Sequence, residues 1–112
     1  MDATPTQPAP SHEVLDDTTT VTALIPKYNV VLLDDDDHTY EYVIEMLGTL
    51  FGHDVRTAFD MASEVDRRGR VIVFTTHKEQ AEFKRDQIHA YGPDPRIAHC
   101  AGSMSALVEP AE

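Results

Sequence analysis

The segment YNVVLLDDDDHTYEYVIEML, from Tyr28 to Leu47, carries the clearest structural pattern in the chain. Its first six residues are mostly apolar, with β-branched and aromatic side chains, and they predict a short buried strand. The aspartates 34–37 end that strand. From His38 onward, apolar residues recur at helical spacing. The sequence therefore predicts that a strand passes through an acidic turn into an amphipathic helix.

Downstream of this stretch, caps and apolar runs predict two more helices and two more strands. Asp54 is a good N-cap for a second helix, and Val71 to Phe74 form a second apolar run. Thr76 followed by Glu79 matches a capping box that opens a third helix, and Ser103 to Glu109 predict a last strand. The expected fold is a small two-layer α+β domain of order β-α-α-β-α-β, with three short strands packed against three helices.

Helical periodicity also predicts which side chains face the core. Gly52 and Gly69 are expected to end the first and second helices. The apolar positions at helical spacing are Tyr40, Val43, Ile44, Leu47, Leu50 and Phe51 in the first helix and Val55, Ala58, Phe59, Ala62 and Val65 in the second. The third helix is expected to run through Ala81, Lys84, Ile88 and Tyr91.

Composition changes sharply near Lys27. Residues 1–26 hold four of the seven prolines and no Lys, Arg or aromatic residue. Such a segment buries too little apolar surface to offset the entropy lost on ordering. We therefore predict a flexible N-terminal extension over residues 1–26 and a folded core domain over residues 27–112.

The charge balance argues against several classes of partner. The 112 residues carry 20 Asp and Glu against 9 Lys and Arg, a formal net charge of −11. Binding to nucleic acid or to an anionic membrane surface requires clustered basic side chains, so neither partner is expected. The single cysteine, Cys100, cannot form an internal disulfide and favours a reducing compartment. We expect a cytoplasmic protein without a cofactor that is a monomer when free.

The four aspartates are open to more than one interpretation. Short polar residues suit turns, and acids near a helix N-terminus stabilise the helix by ~0.3–1 kcal/mol each. Four adjacent acids also repel one another, which favours a bound cation. That cation could be a metal ion held together with a histidine, or the ammonium group of a peptide N-terminus held at the mouth of an apolar pocket. Cys100 is interpreted as an incidental thiol, since no His–acid arrangement is evident near it.

The stretch from Tyr28 to Leu47 resembles the signature of the ClpS adaptor family, which reads aromatic-x-V-x-L-x-N-D-D-x-T-x-M-E-[YF]-V-[IV]-x-x-L. Further similarities are the residues 64–66 before the predicted helix end, the helix around residues 79–84 and the closing segment 107–111. The resemblance covers roughly residues 27–112. It implies an adaptor and not an enzyme. Such an adaptor binds substrate proteins that begin with Phe, Tyr, Trp or Leu and delivers them to a ClpA- or ClpC-type AAA+ unfoldase.

The resemblance also implies roles for individual residues. The family's Asn-Asp pair that contacts the α-amino group falls on Asp34 and Asp35, and its amine-contacting His falls on Asp66. The family's contacts to the N-terminal domain of the unfoldase include positions that are Glu79 and Lys84 in this chain. The side-chain pocket implied by the resemblance consists of Asp36, His38, Tyr40, Val43, Ala62, Val65 and Met104.

Several of these positions depart from the family pattern. The family's Asn is Asp34 here, its Thr is His38, its His is Asp66, and two of its Met positions are Tyr40 and Ala62. More negative charge is therefore expected around the amine, and the reshaped pocket could prefer a different first residue. Two alternatives stay open. One is an adaptor that binds the unfoldase without recognising N-terminal residues, and the other is a small metal-dependent hydrolase built on the aspartates 34–37.

Overall fold

The computed structural model describes residues 25–35, 37–98, 100 and 102–111. The predicted α+β order, β-α-α-β-α-β, is confirmed within these ranges. The predicted flexible extension over 1–26 falls almost entirely on residues outside them. The elements are β1 (Tyr28–Leu33), α1 (Tyr40–Phe51), α2 (Val55–Arg68), β2 (Arg70–Thr76), α3 (Lys78–His89) and β3 (Ser105–Pro110).

The first strand is the centre of a three-stranded antiparallel sheet in the order β2-β1-β3. At its end, Leu33 lies opposite Arg70 of β2 and Ser105 of β3. Residues 30–32 are fully buried, as their unbroken apolar run predicts for a strand with a neighbour on either side. The acidic run therefore begins where the central strand leaves the sheet.

The helices pack on the sheet to form one core. The α1 helix packs against α2, α2 packs against β2, and α3 packs against β1 and β3. Burying each large aliphatic side chain in such a core contributes roughly 1.5–3 kcal/mol. The buried cluster consists of Val30, Leu32, Tyr42, Val43, Met46, Leu47, Ala58, Ala62, Val65, Val71, Val73, Ala81, Ile88, Met104 and Ala106.

Caps fix the ends of α1 and α2. Thr39 caps α1 and Asp54 caps α2, and in each case the side-chain oxygen accepts the backbone N–H three residues further on, at 3.1 and 2.8 Å. Gly52 and Gly69 end the two helices with φ of 75° and 83°, a conformation that glycine adopts without strain. The predicted caps Asp54, Gly52 and Gly69 are confirmed, and α1 begins at Tyr40, the first apolar residue of the predicted pattern.

The predicted capping box at the start of α3 is wrong. Thr76 still belongs to β2, where it lies opposite Tyr28, so its backbone is extended. The helix begins one residue later, and His77 caps it with its Nδ1 at 3.4 Å from the backbone nitrogen of Gln80. Pairing in the sheet therefore overrides the local signal from Thr76 and Glu79.

The buried faces of α1 and α2 also differ in part from the predicted faces. Tyr42 and Met46 are buried although the periodicity did not place them in the core. Tyr42 contacts the segment that follows α3, because its hydroxyl donates to the carbonyl oxygen of Gly92. Val55 and Phe59 of the predicted α2 face are instead 71% and 47% exposed. No helix in the described ranges is long and apolar enough to cross a membrane.

Candidate functional site

A small cavity lies where the chain passes from the central strand into α1. It has a volume of about 30 Å³, roughly the space of one water molecule. Its apolar lining comes from Val43 of α1, Ala62 and Val65 of α2, and Met104 before β3, all of which are buried. Among the described residues, those that line the cavity are Asp34, His38, Tyr40, Val43, Ala62, Val65, Asp66 and Met104.

The cavity collects most of the residues that the sequence assigns to a peptide site. Six of the seven predicted pocket residues line the cavity, and the seventh, Asp36, lies outside the described residues. Asp34 and Asp66, two of the three acids assigned to the amine, also line the cavity. The third, Asp35, lies beside it and faces His38. The result is an apolar floor with carboxylates at its edge.

His38 joins the cavity to Asp35 and to the segment before β3. Its Nδ1 donates to Asp35 Oδ1 at 2.8 Å, since a carboxylate only accepts, and its Nε2 lies 2.8 Å from the carbonyl oxygen of Gly102. The His38 side chain is 2% exposed and packs on the ring of Tyr42, with centroids 4.5 Å apart. Asp35 Oδ1 also accepts the N–H of Asp37 at 3.1 Å. These two donors hold the Asp35 carboxylate in one orientation.

Tyr40 connects α1 to α2 beside the cavity. Its hydroxyl donates to Asp66 Oδ2 at 2.9 Å, and its ring packs against Phe59 with centroids 5.6 Å apart. The hydrogen bond to Asp66 is the main cause that raises the pKa of Tyr40. With this ring in place the cavity is too small for a Phe or Leu side chain. The Tyr40 ring and its hydrogen bond to Asp66 therefore lie where a larger side chain would need space.

A buried carboxylate, Asp94, holds the start of α1 from the other side. It accepts the backbone N–H and the hydroxyl of Thr39, both at 2.8 Å. It also accepts the backbone N–H and the guanidinium of Arg96, at 3.0 and 3.2 Å. Burial by itself raises the pKa of Asp94, but the hydrogen bonds from Thr39 and Arg96 outweigh it and lower the pKa to about 2. The sequence indicated only a chain break here, from Gly and Pro residues.

The expectation that Cys100 has no His–acid arrangement near it is wrong. Its Sγ lies 3.4 Å from His38 Nε2, and the other ring nitrogen of His38 is bonded to Asp35. The same Sγ accepts the N–H of Asp94 at 3.2 Å. No local pattern could indicate this contact, because His38 and Cys100 are 62 positions apart in the chain.

The two residues assigned to the unfoldase have different surroundings on α3. Glu79 is exposed in the first turn of the helix, and Phe83, one turn later on the same face, is 55% exposed. Lys84 is engaged within the chain, because its Nζ donates to the carbonyl oxygen of Leu50 at 2.5 Å and lies 5.4 Å from the ring centroid of Phe51. Glu79 and Phe83 are therefore more available to a partner than Lys84 is.

Metal binding was the other possibility for the acidic run. Across the described parts of the chain, no group of three or more His, Cys, Asp or Glu side chains is placed to hold a metal ion. Asp36 and His99 are outside this statement, because they are not among the described residues.

Comparison with known proteins gives consistent matches. Residues 24–94 match the family model described as "ATP-dependent Clp protease adaptor protein ClpS". Proteins named ATP-dependent Clp protease adapter protein ClpS are similar to this chain. The one from Nautilia profundicola is 37% identical over 70 residues, which are 62% of this chain and 72% of the relative. The one from Desulforapulum autotrophicum is 34% identical over 64 residues, which are 57% of this chain and 62% of the relative.

A solved structure has a similar fold. Agrobacterium tumefaciens ClpS2 bound to L-phenylalaninamide matches with a TM-score of 0.67 at 24% identity, covering 77% of this chain and 98% of that chain. At this identity the likeness concerns the fold alone. The cavity residue Met104, together with Cys100 and Gly102, lies beyond the segment 24–94 that the family model matches.

Proposed function

The chain belongs to the ClpS family of ATP-dependent Clp protease adaptors, and from this premise we propose that it recognises the N-termini of substrate proteins. It binds a free α-amino group together with a bulky apolar first side chain, and it delivers the bound protein to a ClpA- or ClpC-type AAA+ unfoldase. The observation that carries the proposal is the cavity, whose apolar floor has carboxylates at its edge. The ligand of the structural neighbour, L-phenylalaninamide, supports it, because it joins an amine to a phenyl side chain.

The proposed contacts divide the ligand into two parts. Asp34, Asp35 and Asp66 accept hydrogen bonds from the ammonium group, and the first side chain occupies the space between Ala62 and Met104. A hydrogen bond to a charged group contributes ~1.5–3 kcal/mol, and burying a Phe or Leu side chain contributes roughly as much again. Two or three such bonds plus the side chain are about enough for micromolar binding once the costs of association are included.

The proposal is tested by comparing a labelled peptide that begins with Phe with the same peptide N-acetylated, using fluorescence anisotropy. Acetylation removes the charge and two of the three N–H donors while it leaves the side chain intact. We expect the acetylated peptide to bind about a hundredfold more weakly, which corresponds to the loss of ~2–3 kcal/mol. A third peptide that begins with Ser measures the contribution of the side chain separately.

Equal binding of the free and acetylated peptides contradicts the proposal. If the chain then still binds the isolated N-terminal domain of a ClpA- or ClpC-type unfoldase, the alternative adaptor without N-terminal recognition is favoured. The face of α3 that carries Glu79 and Phe83 is exposed and is therefore accessible to an unfoldase in either case.

Removing the hydroxyl of Tyr40 should strengthen peptide binding. In Tyr40→Phe the ring stays, but the hydrogen bond that joins it to Asp66 is lost. A ligand then enters without breaking that bond, and Asp66 is available to the ammonium group. We expect the affinity for the Phe peptide to rise about fivefold, in line with the ~1 kcal/mol of one hydrogen bond.

Tyr28→Phe is the matched control, because Tyr28 lies at the start of β1 and does not line the cavity. Its peptide affinity should equal that of the unmodified protein. If Tyr40→Phe binds no better than Tyr28→Phe, the hydrogen bond between Tyr40 and Asp66 does not restrict entry to the cavity.

A further inference from the structure

The segment 92–104, which joins α3 to β3, contacts the two residues that directly precede α1. Asp94 contacts Thr39, and the carbonyl oxygen of Gly102 contacts His38. Thr39 stands directly between two cavity residues, His38 and Tyr40. Most of this segment lies beyond residues 24–94, the part that the family model matches. Asp94 is the last residue of that matched part, whereas Gly102 lies outside it.

We propose that Asp94 is a positioning residue for the peptide site. Its carboxylate fixes the backbone and the hydroxyl of Thr39, and through Thr39 it sets the positions of His38 and Tyr40 on either side. This inference rests on the proposed function, because it concerns the same cavity.

The geometry at Thr39 couples two constraints. Its hydroxyl donates to Asp94 at 2.8 Å and accepts the N–H of Tyr42 at 3.1 Å, so one group both caps α1 and attaches the helix to the segment 92–104. The backbone N–H of Thr39 also donates to Asp94, at 2.8 Å. Two donors on one residue leave it little freedom to turn about its own backbone. The hydrogen bonds to Asp94 therefore fix the backbone at the start of α1, from which the His38 and Tyr40 side chains extend.

Arg96 strengthens this attachment and neutralises the buried charge. Its guanidinium donates to Asp94 Oδ1 at 3.2 Å and to Glu45 Oε2 at 2.8 Å, so it joins the segment to the second turn of α1 as well. Asp94 itself is 1% exposed. A buried carboxylate with four hydrogen bonds costs a great deal to displace, because each donor would lose its partner. The start of α1 and the segment 92–104 should therefore move as one unit.

The test compares Asp94→Asn with Asp54→Asn. Asp54 is the matched control because its carboxylate also accepts a backbone N–H at the start of a helix, but it is exposed and does not line the cavity. Both variants are measured for urea unfolding, for binding of the free and acetylated Phe peptides, and for the NMR signals of the His38 imidazole. If Asp94 has only a structural role, both variants should be less stable, and they should not differ from each other in peptide binding or in the His38 NMR signals.

We expect Asp94→Asn to bind the free peptide about tenfold more weakly, to lower the ratio between free and acetylated peptides, and to shift the His38 signals. Asp54→Asn should change neither binding nor His38. Should Asp94→Asn fail to fold, Arg96→Gln replaces it, and a smaller change in the same three measurements is expected. Peptide binding and His38 signals that equal those of Asp54→Asn overturn the inference.

The outcomes also separate this inference from the proposed function. If the unmodified protein does not distinguish free from acetylated peptide, the proposed function fails, whatever the variants do. If it does distinguish them and Asp94→Asn preserves the ratio and the His38 signals, only the positioning role of Asp94 fails.

Discussion

Asp35→Ala is expected to weaken binding of the Phe peptide about a hundredfold, whereas Asp37→Ala should have little effect. Among the acids, removal of Asp35 should reduce peptide affinity most, because its carboxylate is already oriented before the peptide binds. Its Oδ1 accepts hydrogen bonds from the ring of His38 at 2.8 Å and from the N–H of Asp37 at 3.1 Å. An oriented carboxylate accepts a hydrogen bond from an ammonium group without a further ordering cost, and such a bond contributes ~1.5–3 kcal/mol. His38, with a side chain 2% exposed, also loses an acceptor in the variant.

The acetylated peptide separates these two contributions. If Asp35 acts by binding the amine, Asp35→Ala should have a much smaller effect on the acetylated peptide, since the group that it binds has been removed. Asp37→Ala removes a charge of the same sign from an exposed neighbour and therefore controls for long-range electrostatics. Equal losses for the free and acetylated peptides mean that Asp35 acts only by supporting His38, and that the amine is bound elsewhere.

Local patterns in the sequence account for the order of the elements and for much of the site. Apolar runs predicted the strands, Asp54 predicted the start of α2, and Gly52 and Gly69 predicted the ends of α1 and α2. These signals can be recognised in the sequence because each acts over a few residues. The cavity positions were found by resemblance to a family whose signature spans the strand, the acidic turn and the first helix. The structure shows that six of these positions line one cavity, while Asp36 lies outside the described residues, and the binding role of every one of them stays a prediction.

Contacts between distant parts of the chain explain what the sequence did not reveal. The capping box at Thr76 failed because pairing with Tyr28 extends β2 by the residue that would have capped the helix. The burial of Asp94 depends on Thr39, which is 55 positions away. Glycine and proline near residue 93 predict a turn, but they carry no information about which surface that turn covers. The same limit hid the contact between Cys100 and His38.

The apolar floor and the acidic edge of the cavity have different origins in the fold. The floor is part of the core: Val43, Val65 and Met104 are between 2% and 4% exposed and belong to the buried cluster. The edge comes from the turn after β1 and from the end of α2, where polar residues are expected in any case. A ligand that binds both must therefore extend from the surface into the core.

Tyr42→Ala should lower the free energy of unfolding by roughly 3–5 kcal/mol, the usual cost of removing a large buried aromatic side chain. Tyr42 is 1% exposed, its hydroxyl donates to the carbonyl oxygen of Gly92 at 2.5 Å, and its ring contacts Tyr91 edge to face at 5.6 Å. Burial raises the pKa of Tyr42, which fits a phenol that is enclosed by the protein. Urea unfolding followed by circular dichroism measures the change.

Two further variants divide this loss into its parts. Tyr42→Phe keeps the ring and removes only the bond to Gly92, so it should cost about 1 kcal/mol. Phe83→Ala removes an aromatic ring that is 55% exposed and should cost much less than Tyr42→Ala. Because the ring of Tyr42 also supports His38, with centroids 4.5 Å apart, peptide affinity should fall in Tyr42→Ala and stay unchanged in Tyr42→Phe. A loss of stability in Tyr42→Phe as large as in Tyr42→Ala would show that the hydroxyl, and not ring packing, joins α1 to the segment after α3.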